Sequence, residues 1–370
     1  MGLGVVVIAG IPWFFAHLGL GAWCRRARLQ PTPARPADLL VVVPARDEAA
    51  AIGRCVQALR LVPGEGLRIV VVDDHSADDT AARAVDAAGG DPRVHVCAAP
   101  TRPSGWSGKS AALCAGHPGS EPWILFVDAD VVVDQRLPGA LIELASQRNL
   151  DLVSAFGHWE TPTWGTRLLV PAFGWLIRGL VDPRRVEDGR TPFANGQMVL
   201  VRRSVYEAVG GHASIASEVL DDVALARRIA GSGGRLAVRW APWGFSVRAY
   251  DTVQDVIIGY RKNLAAGLGG RPGVVLVATA AVLWAYVAPV AVLIAGLARL
   301  DVWWVSGGVL AIALIVTLRA RLDVLDGRPA GLAWLQPVAG LVIAWTLFRS
   351  GFGPAVAWKG RGFRRGRPVD

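Results

Sequence analysis

Charged side chains make up 19% of this 370-residue chain, yet four long stretches contain none. The stretches without Asp, Glu, Lys or Arg are 1–24, 272–298, 302–318 and 329–348. An uncharged apolar run of about 18 residues or more is long enough to cross a bilayer as a helix. We therefore predict an N-terminal membrane anchor at 1–24 and C-terminal membrane segments within 272–348, which excludes an ordinary soluble protein.

Several small motifs are also missing. The four cysteines form no CxxC pair and no metal-ligand spacing, so they fit reduced thiols of the cytosol better than a zinc site or a disulfide framework. No GxGxxG follows a strand, and no GxxxxGK precedes a Ser or Thr. These absences argue against a Rossmann dinucleotide site and against a P-loop.

Basic residues predict the orientation of the membrane segments. Arg25, Arg26 and Arg28 follow the first uncharged stretch, which lacks the basic start and the cleavage site of a signal peptide. By the positive-inside rule, the domain after this anchor is cytoplasmic. We expect a multi-pass protein of the cell (inner) membrane whose middle domain, 36–265, lies on the cytoplasmic side.

The net charge of +9 lies mainly beside the membrane segments and in the tail, 349–370. A basic soluble protein would suggest nucleic acid, but attraction to anionic lipid is the simpler interpretation here, and no nucleic acid is expected. Because five basic residues of the tail favour the cytoplasm and Pro337 weakens a straight helix, we predict that 329–348 is re-entrant or interfacial.

The block between the membrane segments alternates strand and helix patterns. Continuous apolar strands that alternate with helices are typical of an α/β domain with a parallel sheet covered on both faces. Polar clusters follow three of these strands, at Ala45–Glu48, Asp73–Ser76 and Asp128–Asp130. Ligands bind outside the carboxyl ends of such strands, so we predict the functional site at this edge.

Asp128 and Asp130 close the buried stretch "WILFVDAD". In an extended segment, residues i and i+2 share a face, so both carboxylates can reach one ion. Carboxylates are ligands that Mg²⁺ or Mn²⁺ accepts, and such a cation can hold a nucleotide diphosphate that the acids alone would repel. The alternative is a solvated loop whose acids occur by chance.

Six motifs in order resemble the membrane-associated family 2 glycosyltransferases, which have the GT-A fold. They are "VVVPARDEAAAIGRCV", "IVVVDDHSADDT", "GWSGKSAAL", "ILFVDADVVVD", "FANGQMVLVRRSVYEAVGG" and "EVLDDVALARRI". The likeness covers about 36–265 and is greatest for the hopanoid-associated and carotenoid-type lipid glycosyltransferases, with ceramide glucosyltransferase more distant. It implies an α/β GT-A domain between the membrane segments.

The resemblance implies a donor site for a nucleotide-diphosphate sugar, a UDP-sugar by default. Its residues would be Pro44, Ala45, Arg46, Glu48, Asp73, Asp74, Lys109 and Asp128. A carboxylate can accept hydrogen bonds from the base and the ribose, and Lys109 precedes a helix whose N-terminus favours phosphate. The alternatives are that Asp73 caps a helix and that Lys109 is a surface lysine.

The resemblance also places the general base at Asp222, which would take the proton of the acceptor hydroxyl. The family usually has Glu where this chain has Asp221, so the role of Asp221 is open, and an acid pair at a helix N-terminus is the alternative. The remaining residues, on the acceptor or diphosphate side, would be Asn195, Gly196, Gln197, Asp221, Tyr260, Arg261 and Lys262. The stretch "IIGYRKN" lacks the Trp of processive polysaccharide synthases, which argues against such an enzyme.

The segment 161–185 is apolar and aromatic, with basic residues at its ends. Pro171 interrupts it, so we predict an interfacial helix in the headgroup region rather than a span; a buried core helix is the alternative. An aromatic, apolar segment here points to a lipid acceptor. We therefore expect an inverting, metal-dependent transfer of one sugar to a membrane lipid, with a polyprenyl-phosphate sugar transferase, a processive synthase and a non-catalytic scaffold as alternatives.

Overall fold

The computed structural model describes residues 13, 15–16, 19, 21–34, 38–116, 119–358, 361–364 and 367–369. The chain forms two compact units. The sheet unit comprises Ala27–Glu160 and Val181–Ala249, and the helical unit comprises Met1–Arg26, Thr161–Leu180 and Tyr250–Asp370. The chain thus leaves the sheet unit after Glu160 and returns to it at Val181.

The strands of the sheet unit form one large and one small sheet. In chain order they are β1 Leu39–Ala45, β2 Leu67–Asp73, β3 Val94–Ala98, β4 Trp123–Val127, β5 Val131–Val133, β6 Leu152–Phe156, β7 His158–Trp159, β8 Met198–Arg202, β9 Leu236–Trp240 and β10 Phe245–Val247. The large sheet has seven strands in the order β3-β2-β1-β4-β8-β6-β9, and the small sheet has the order β5-β10-β7.

The large sheet is mixed rather than parallel. Strands β1 to β4 run parallel, as predicted. The prediction is wrong for β8, which is antiparallel to both of its neighbours. The reason is local: the chain enters β8 at the edge where β4 ends, with Met198 opposite Val127, and must run back along β4. The edge that carries Asp128 therefore also carries the residues just before β8.

Burial of β1 and β4 explains why these segments form central strands. Leu39 to Val43 are 0% exposed, and every residue of β4 is buried. An apolar run with no polar alternation fits a strand that is covered on both faces. The covering helices and short turns are Ile52–Arg60, Thr80–Ala88, Gly108–Ala115, Leu137–Arg148, Pro183–Glu187, Arg203–Ala208 and Asp221–Gly231, with a 3₁₀ helix at Gly211–Ile215.

The helical unit contains the C-terminal third of the chain. Its helices are Trp164–Leu180, Val253–Gly267, Pro272–Tyr286, Ala288–Arg299, Val302–Leu325 and Gln336–Phe352, with a 3₁₀ helix at Ala330–Leu335. Three short strands, Val356–Trp358, Arg361–Arg364 and Arg367–Val369, form an antiparallel sheet in the basic tail. Most of the predicted anchor, 1–24, lies outside the described residues; residues 21–27 are helical.

One helix of the described chain, Ala330–Phe352 with its 3₁₀ start, is long and apolar enough to cross a membrane. A second crossing would need Pro272–Tyr286 and Ala288–Arg299 to act together, although they meet at a bend of 48°. The uncharged stretch 272–298 predicts one membrane segment. In the structure this stretch forms two helices that meet at Val287, just before Pro289. A multi-pass topology stays a prediction.

The helix Gln336–Phe352 changes one argument about topology. Pro337 lies in its first turn, where a proline needs no hydrogen-bond donor, and the helix continues to Phe352. Pro337 therefore gives no reason to doubt a straight helix over most of 329–348. The prediction that this segment is re-entrant now depends on Gln336, on the break at 351–354 and on the basic tail that follows it.

The segment 161–185 differs from its predicted form. Its helix runs unbroken through Pro171, and Leu168, Leu169 and Phe173 are buried within the helical unit. Burial of these residues corresponds to the alternative of a packed core helix. The ends differ, because Trp164 is 68% and Leu180 is 71% exposed. The catalytic domain predicted over 36–265 is likewise divided, since 161–180 and 250–265 belong to the helical unit.

A buried ionic network joins the helices of this unit. Arg178 is 1% exposed, and its Nη1 lies 3.0 and 3.1 Å from the two carboxylate oxygens of Asp326. Arg328 also pairs with Asp326. Arg319 Nε lies 2.8 Å from Asp323 Oδ2. We attributed the basic residues beside the predicted membrane segments to contact with anionic lipid. This is wrong for Arg319 and Arg328, because they are only 3% and 7% exposed and form ion pairs inside the protein.

Arg319 also fixes two neighbouring elements. It donates to the carbonyl of Leu168 at 3.2 Å and to that of Arg167 at 3.0 Å, and its Nη1 lies 2.5 Å from Gln336 Oε1. One guanidinium thus links the helix Trp164–Leu180 to the start of Gln336–Phe352. Charges buried this deeply stabilise a fold only while their partners remain in place.

We predict that Asp326→Asn strongly destabilises the helical unit. The change leaves Arg178 and Arg328 buried without their shared counter-charge, which costs about 3–5 kcal/mol for a buried pair. The control is Glu207→Gln, because Glu207 pairs with Arg203 but its side chain is 55% exposed, and such pairs contribute about 0–1 kcal/mol. Thermal unfolding in detergent measures both; equal transition temperatures would contradict a structural role for the network.

Candidate active site

A pocket of about 270 Å³, counting space open to solvent, lies in the sheet unit where β1 and β4 end and β8 begins. Its polar lining consists of Lys109, Asp128, His212, Asp221 and Asp222, together with the backbone of Gly196. Apolar side chains such as Leu113, Phe126 and Leu225 form its floor. The topology thus brings six sequence-predicted residues to one place: Pro44, Lys109, Asp128, Gly196, Asp221 and Asp222.

Lys109 is the cation of this pocket. It lies in the first turn of the helix Gly108–Ala115, whose N-cap Ser107 accepts a hydrogen bond from Ser110 N. Its Nζ lies 2.7 Å from Asp128 Oδ1 and 3.7 Å from Asp221 Oδ2. Burial alone would lower the pKa of Lys109, but Asp128 and then Asp221 outweigh it and raise the pKa, so the ammonium stays charged.

Asp222 is a carboxylate of the pocket with a raised pKa. Its Oδ2 accepts a hydrogen bond from Gly196 N at 2.6 Å, and its Oδ1 accepts one from Val223 N at 2.8 Å. Burial and then the negative charge of Asp221 raise the pKa of Asp222 to about 6, although Lys109 and the two backbone donors lower it. A carboxylate with a pKa close to neutrality is suited to accept and release a proton.

The loop before β8 holds Asp222 in position. Asn195 is committed to this loop, because its Nδ2 donates to Ala155 O at 2.7 Å and its backbone N donates to Ser154 Oγ at 2.6 Å. Gln197 contributes its backbone carbonyl, which accepts from Asp128 N at 3.4 Å. Thus "FANGQ" serves to place Gly196 against Asp222, and the structure gives Asn195 a supporting role rather than a contact in the pocket.

Asp221 has a second neighbour that the sequence analysis did not single out. His212 Nε2 lies 3.8 Å from Asp221 Oδ2, and His212 Nδ1 lies 2.8 Å from the hydroxyl of Tyr206. His212 is 2% and Tyr206 is 1% exposed. A lone histidine is a weak sequence signal, and only the fold shows that it lies beside the acid pair.

The loops after β1 and β2 are joined by hydrogen bonds. Arg46 Nη1 donates to Asp74 O at 2.6 Å, Asp47 N donates to Ser76 Oγ at 3.0 Å, and Glu48 N donates to Thr80 Oγ1 at 2.8 Å. Asp73 accepts from Ser76 Oγ at 2.5 Å, and it does not cap the helix Thr80–Ala88. Among these donor-site candidates, Pro44 lines the pocket. The structure therefore gives Arg46 a role in the loop contacts, and nucleoside binding by Glu48, Asp73 or Asp74 stays a prediction.

Both loops contain a residue in the left-handed region, Asp47 with φ 51° and His75 with φ 55°. Such a backbone costs energy for a residue other than glycine and is often found at ligand-binding sites. Asp47 contributes to its own stabilisation, because its Oδ1 accepts from Ala77 N at 2.8 Å. Ala45 completes the link, as its carbonyl accepts from Asp74 N at 2.7 Å.

Asp128 and Asp130 are the predicted metal ligands. Among the described residues, no group of three or more His, Cys, Asp or Glu side chains is arranged to hold a metal ion. Asp128 lines the pocket, whereas Asp130 is not among its lining residues. Cys55, whose thiol lies 3.8 Å from Asp128 O, is no ligand, because burial and then Asp130 raise its pKa. Mg²⁺ often binds through one or two carboxylates plus substrate phosphates, so this donor set fits a cation that arrives with a diphosphate.

Tyr260, Arg261 and Lys262 have partners within the helical unit. Tyr260 stacks on Phe173 with ring centroids 4.1 Å apart and is 6% exposed, so it is a core residue rather than an open aromatic platform. Arg261 Nη2 donates to Pro354 O at 3.0 Å, and Lys262 lies over the ring of Phe363. These contacts correct the idea that Tyr260 stacks on a ligand; the assignment of Arg261 and Lys262 to a diphosphate stays untested.

We predict that Gly196→Ala destabilises the protein by about 1–3 kcal/mol, the usual cost of overpacking a well-packed site. An added Cβ would lie 3.0 Å from Asp222 Oδ2 and 3.3 Å from Lys109 Nζ, so the charged side chains must move. Gly53→Ala is the control, since its Cβ meets nothing within 4 Å and alanine favours the helix Ile52–Arg60. Thermal unfolding measures both. An unchanged transition for Gly196→Ala would show that the loop yields easily.

Comparison with known proteins supports the interpretation of this pocket as the active site of an enzyme. Residues 40–210 match the model of the family Glycosyl transferase family 2. Two curated relatives are each 27% identical to this chain. The Succinoglycan biosynthesis protein ExoU of Rhizobium meliloti matches over 56% of this chain and 61% of its own length. The 4,4'-diaponeurosporenoate glycosyltransferase of Staphylococcus aureus matches over 67% of this chain and 66% of its own length. The chain thus spans less than two thirds of either relative.

A solved structure with the same fold is the mannosyltransferase PcManGT from Pyrobaculum calidifontis, determined in complex with GDP-Man and Mn²⁺. It superposes with a TM-score of 0.56 at 15% sequence identity and covers 93% of this chain and 99% of its own chain. At that identity the likeness concerns the fold alone. The mixed sheet and the likeness to PcManGT show the GT-A fold, and the match over residues 40–210 shows similarity to the family 2 glycosyltransferases, which indicates an enzyme.

Proposed function

We propose that the enzyme is an inverting, metal-dependent glycosyltransferase that moves one sugar from a nucleotide-diphosphate donor to a membrane lipid. The observation that carries the proposal is the charge arrangement of the pocket. A half-buried cation, Lys109, lies against Asp128, and a carboxylate with a raised pKa, Asp222, lines the same pocket. Sugar transfer needs both: a cation for the leaving diphosphate and a base for the attacking group.

Lys109, Asp128 and Asp130 are the residues that we propose bind the donor diphosphate and its metal ion. Lys109 can exchange part of its pairing with Asp128 for an oxygen of the diphosphate, because its side chain is 34% exposed and open to the pocket. Asp128 and Asp130 would hold Mg²⁺ or Mn²⁺, which when bound would neutralise charge on the diphosphate. PcManGT, with GDP-Man and Mn²⁺, supports such a donor by analogy of fold. A UDP-sugar remains the default by resemblance.

The acceptor side rests on Asp222. Gly196 N and Val223 N hold its carboxylate in a fixed orientation. As the acceptor oxygen attacks the anomeric carbon, its O–H bond breaks and the proton passes to Asp222. The new C–O bond forms while the bond from the anomeric carbon to the phosphate oxygen breaks, and the nucleoside diphosphate leaves. One displacement inverts the anomeric centre, and no covalent sugar–enzyme species is needed.

A lipid acceptor and a membrane location are supported by the helical unit. Several large apolar side chains of its helices are exposed: Leu276, Val277, Trp284, Ile294, Leu297 and Trp345. Exposed apolar surface of this extent is typical of contact with lipid or with another protein. The name of the Staphylococcus relative, a diaponeurosporenoate glycosyltransferase, favours a lipid-type acceptor. We place the sheet unit on the cytoplasmic side of the inner membrane.

The rival functions differ in the acceptor. A polyprenyl-phosphate sugar transferase would use a phosphate acceptor, which has no proton to lose at neutral pH and needs no base. A processive polysaccharide synthase would extend a glycan, and the name of the Rhizobium relative belongs to succinoglycan biosynthesis. The stretch "IIGYRKN" still argues against a processive enzyme. The alternative of a non-catalytic scaffold is set aside, because the family match identifies an enzyme.

The proposal is tested with membranes that contain the wild-type enzyme or Asp222→Asn. Each is incubated with a panel of UDP- and GDP-sugars labelled in the sugar, and label is measured in extracted lipid. We expect one donor to label lipid, and Asp222→Asn to lower the rate by about 10²-fold or more, the usual contribution of a general base. Labelled lipid made equally well by Asp222→Asn would favour a phosphate acceptor. Absence of label with every donor would contradict the proposal.

A separate prediction concerns the metal. Asp130→Ala should abolish transfer while thermal unfolding in detergent remains cooperative, and EDTA should abolish transfer by the wild type. Asp134→Ala is the matched control, because Asp134 follows the same strand region but pairs with Arg136 at 2.8 Å outside the pocket. Excess Mg²⁺ or Mn²⁺ should restore the EDTA-treated enzyme. Full activity in EDTA would contradict the metal assignment.

A further inference from the structure

Asp221 lies between two groups that can carry positive charge. Its Oδ2 is 3.7 Å from Lys109 Nζ on one side and 3.8 Å from His212 Nε2 on the other. Asp221 is 7% exposed, so water can contribute little to its solvation. The charge distribution on the His212 imidazole therefore affects how well Asp221 holds its negative charge. Asp221 in turn affects the charge of Asp222.

The hydrogen bonds of Tyr206 indicate which nitrogen of His212 carries the proton. The phenol oxygen accepts from the backbone N of His212 at 3.1 Å and lies 2.8 Å from His212 Nδ1. A hydroxyl has a single proton to donate, and Nδ1 is an acceptor at hydrogen-bond distance from it. When Tyr206 donates to Nδ1, the proton of a neutral imidazole must be on Nε2, which faces Asp221.

The backbone is shaped for this contact. Gly211 has φ 49°, and a Cβ there would lie 2.6 Å from Cζ of Tyr206 and 2.8 Å from its hydroxyl oxygen. Only glycine lets the tyrosine ring approach so closely. The ring of Phe126 packs edge-on against His212, with centroids 4.8 Å apart. These contacts restrict the imidazole to one orientation.

We propose that His212, fixed by Tyr206 as the Nε2–H tautomer, is a positioning residue that keeps the Asp221–Asp222 pair ionised and ready to accept the acceptor proton. The inference rests on the proposed role of Asp222 as base. His212 does not touch the reacting atoms and acts through Asp221. At 3.8 Å the imidazole Nε2 is beyond hydrogen-bond distance of Asp221 Oδ2, so its effect on the carboxylate is electrostatic.

The charge balance gives the sign of the effect. The groups that face this carboxylate pair are Lys109 and His212, and Tyr206 is in turn near Cys114 and Arg203. Two interacting carboxylates titrate as a pair. Replacing the polar imidazole by an apolar ring removes a favourable electrostatic partner of the anionic pair, so the apparent pKa of Asp222 must rise. The acid side of the activity profile must move to higher pH.

The first test needs no substrate. The enzyme is labelled with ¹⁵N in its six histidines, and the His212 signal is assigned by its loss in His212→Phe. We expect the ¹⁵N shifts of the wild type to show a protonated Nε2 and an unprotonated Nδ1 above pH 7. Tyr206→Phe should relax this preference. A protonated Nδ1 in the wild type would overturn the inference.

The second test follows the carboxylates. Carboxyl-¹³C aspartate spectra, assigned with Asp222→Asn, should show a titration near pH 6 in the wild type. His212→Phe should raise it by about half a pH unit or more, and His212→Gln, which retains an N–H donor, should raise it less. Ile229→Val, a buried change in the same helix as Asp222, is the packing control and should leave it in place. An unmoved titration in His212→Phe would contradict the inference.

Turnover provides the link to catalysis. Release of UDP from UDP-glucose is followed against pH, and the acid limb should shift with the carboxylate titration while the Michaelis constant for donor stays within about twofold. If His212→Phe does not fold, Tyr206→Phe provides the same comparison. A spectroscopic shift without UDP release would leave the role of His212 in place and count against the proposed donor. A fall in rate that is equal at every pH would show that His212 has only a structural role.

Discussion

Lys109 shared between two carboxylates is the interaction on which the functional site depends. Asp128 and Asp221 come from distant parts of the chain, and placing two carboxylates in a part-buried pocket is costly without a cation. At 2.7 Å from one and 3.7 Å from the other, a single ammonium compensates both. It does so from the first turn of a helix, where the free N–H groups also favour negative charge. The same arrangement suits a diphosphate, which brings more negative charge to the same cation.

The second constraint is the direction of β8. Because this strand runs back along β4, the loop "FANGQ" enters the sheet at the edge where Asp128 leaves it. Gly196 can then donate to Asp222 and come within reach of Lys109. In a wholly parallel sheet this loop would lie at the opposite edge. An antiparallel strand in a sheet of parallel strands is therefore what allows donor-binding and base residues to meet.

Much of this was accessible from the sequence, for physical reasons. Buried strands have continuous apolar runs, acids at their ends are unusual enough to be noticed, and motif order carries the family resemblance. Lys109, Asp128, Asp221 and Asp222 were predicted and are found together. Only the family resemblance separated Asp222 from Asp221, and the structure adds a physical difference: Gly196 N and Val223 N donate to the Asp222 carboxylate.

Other features have no local signal. Nothing in "GGHASI" indicates that His212 will lie beside Asp221, because that contact joins two segments through the fold. Tyr260 was expected to contact ligand because of its place in "IIGYRKN", but its ring packs on Phe173, far away in sequence. Arg319 and Arg328 flank predicted membrane segments, where the sequence suggests contact with lipid, whereas the fold buries them against Asp323 and Asp326. Sequence patterns predict burial from the polarity of side chains. They therefore fail for charged side chains that form ion pairs inside the protein.

The most direct test of the account is calorimetric binding of UDP and GDP, with Mg²⁺, to the wild type and to Lys109→Met. If Lys109 is the protein's cation for the leaving diphosphate, the wild type binds at least one of the two, and Lys109→Met binds it about tenfold more weakly or worse, a loss of at least ~1.4 kcal/mol. Arg148→Met, which removes an exposed cation paired with Glu187, should leave the dissociation constant unchanged. Equal affinity of the wild type and Lys109→Met would contradict the central claim.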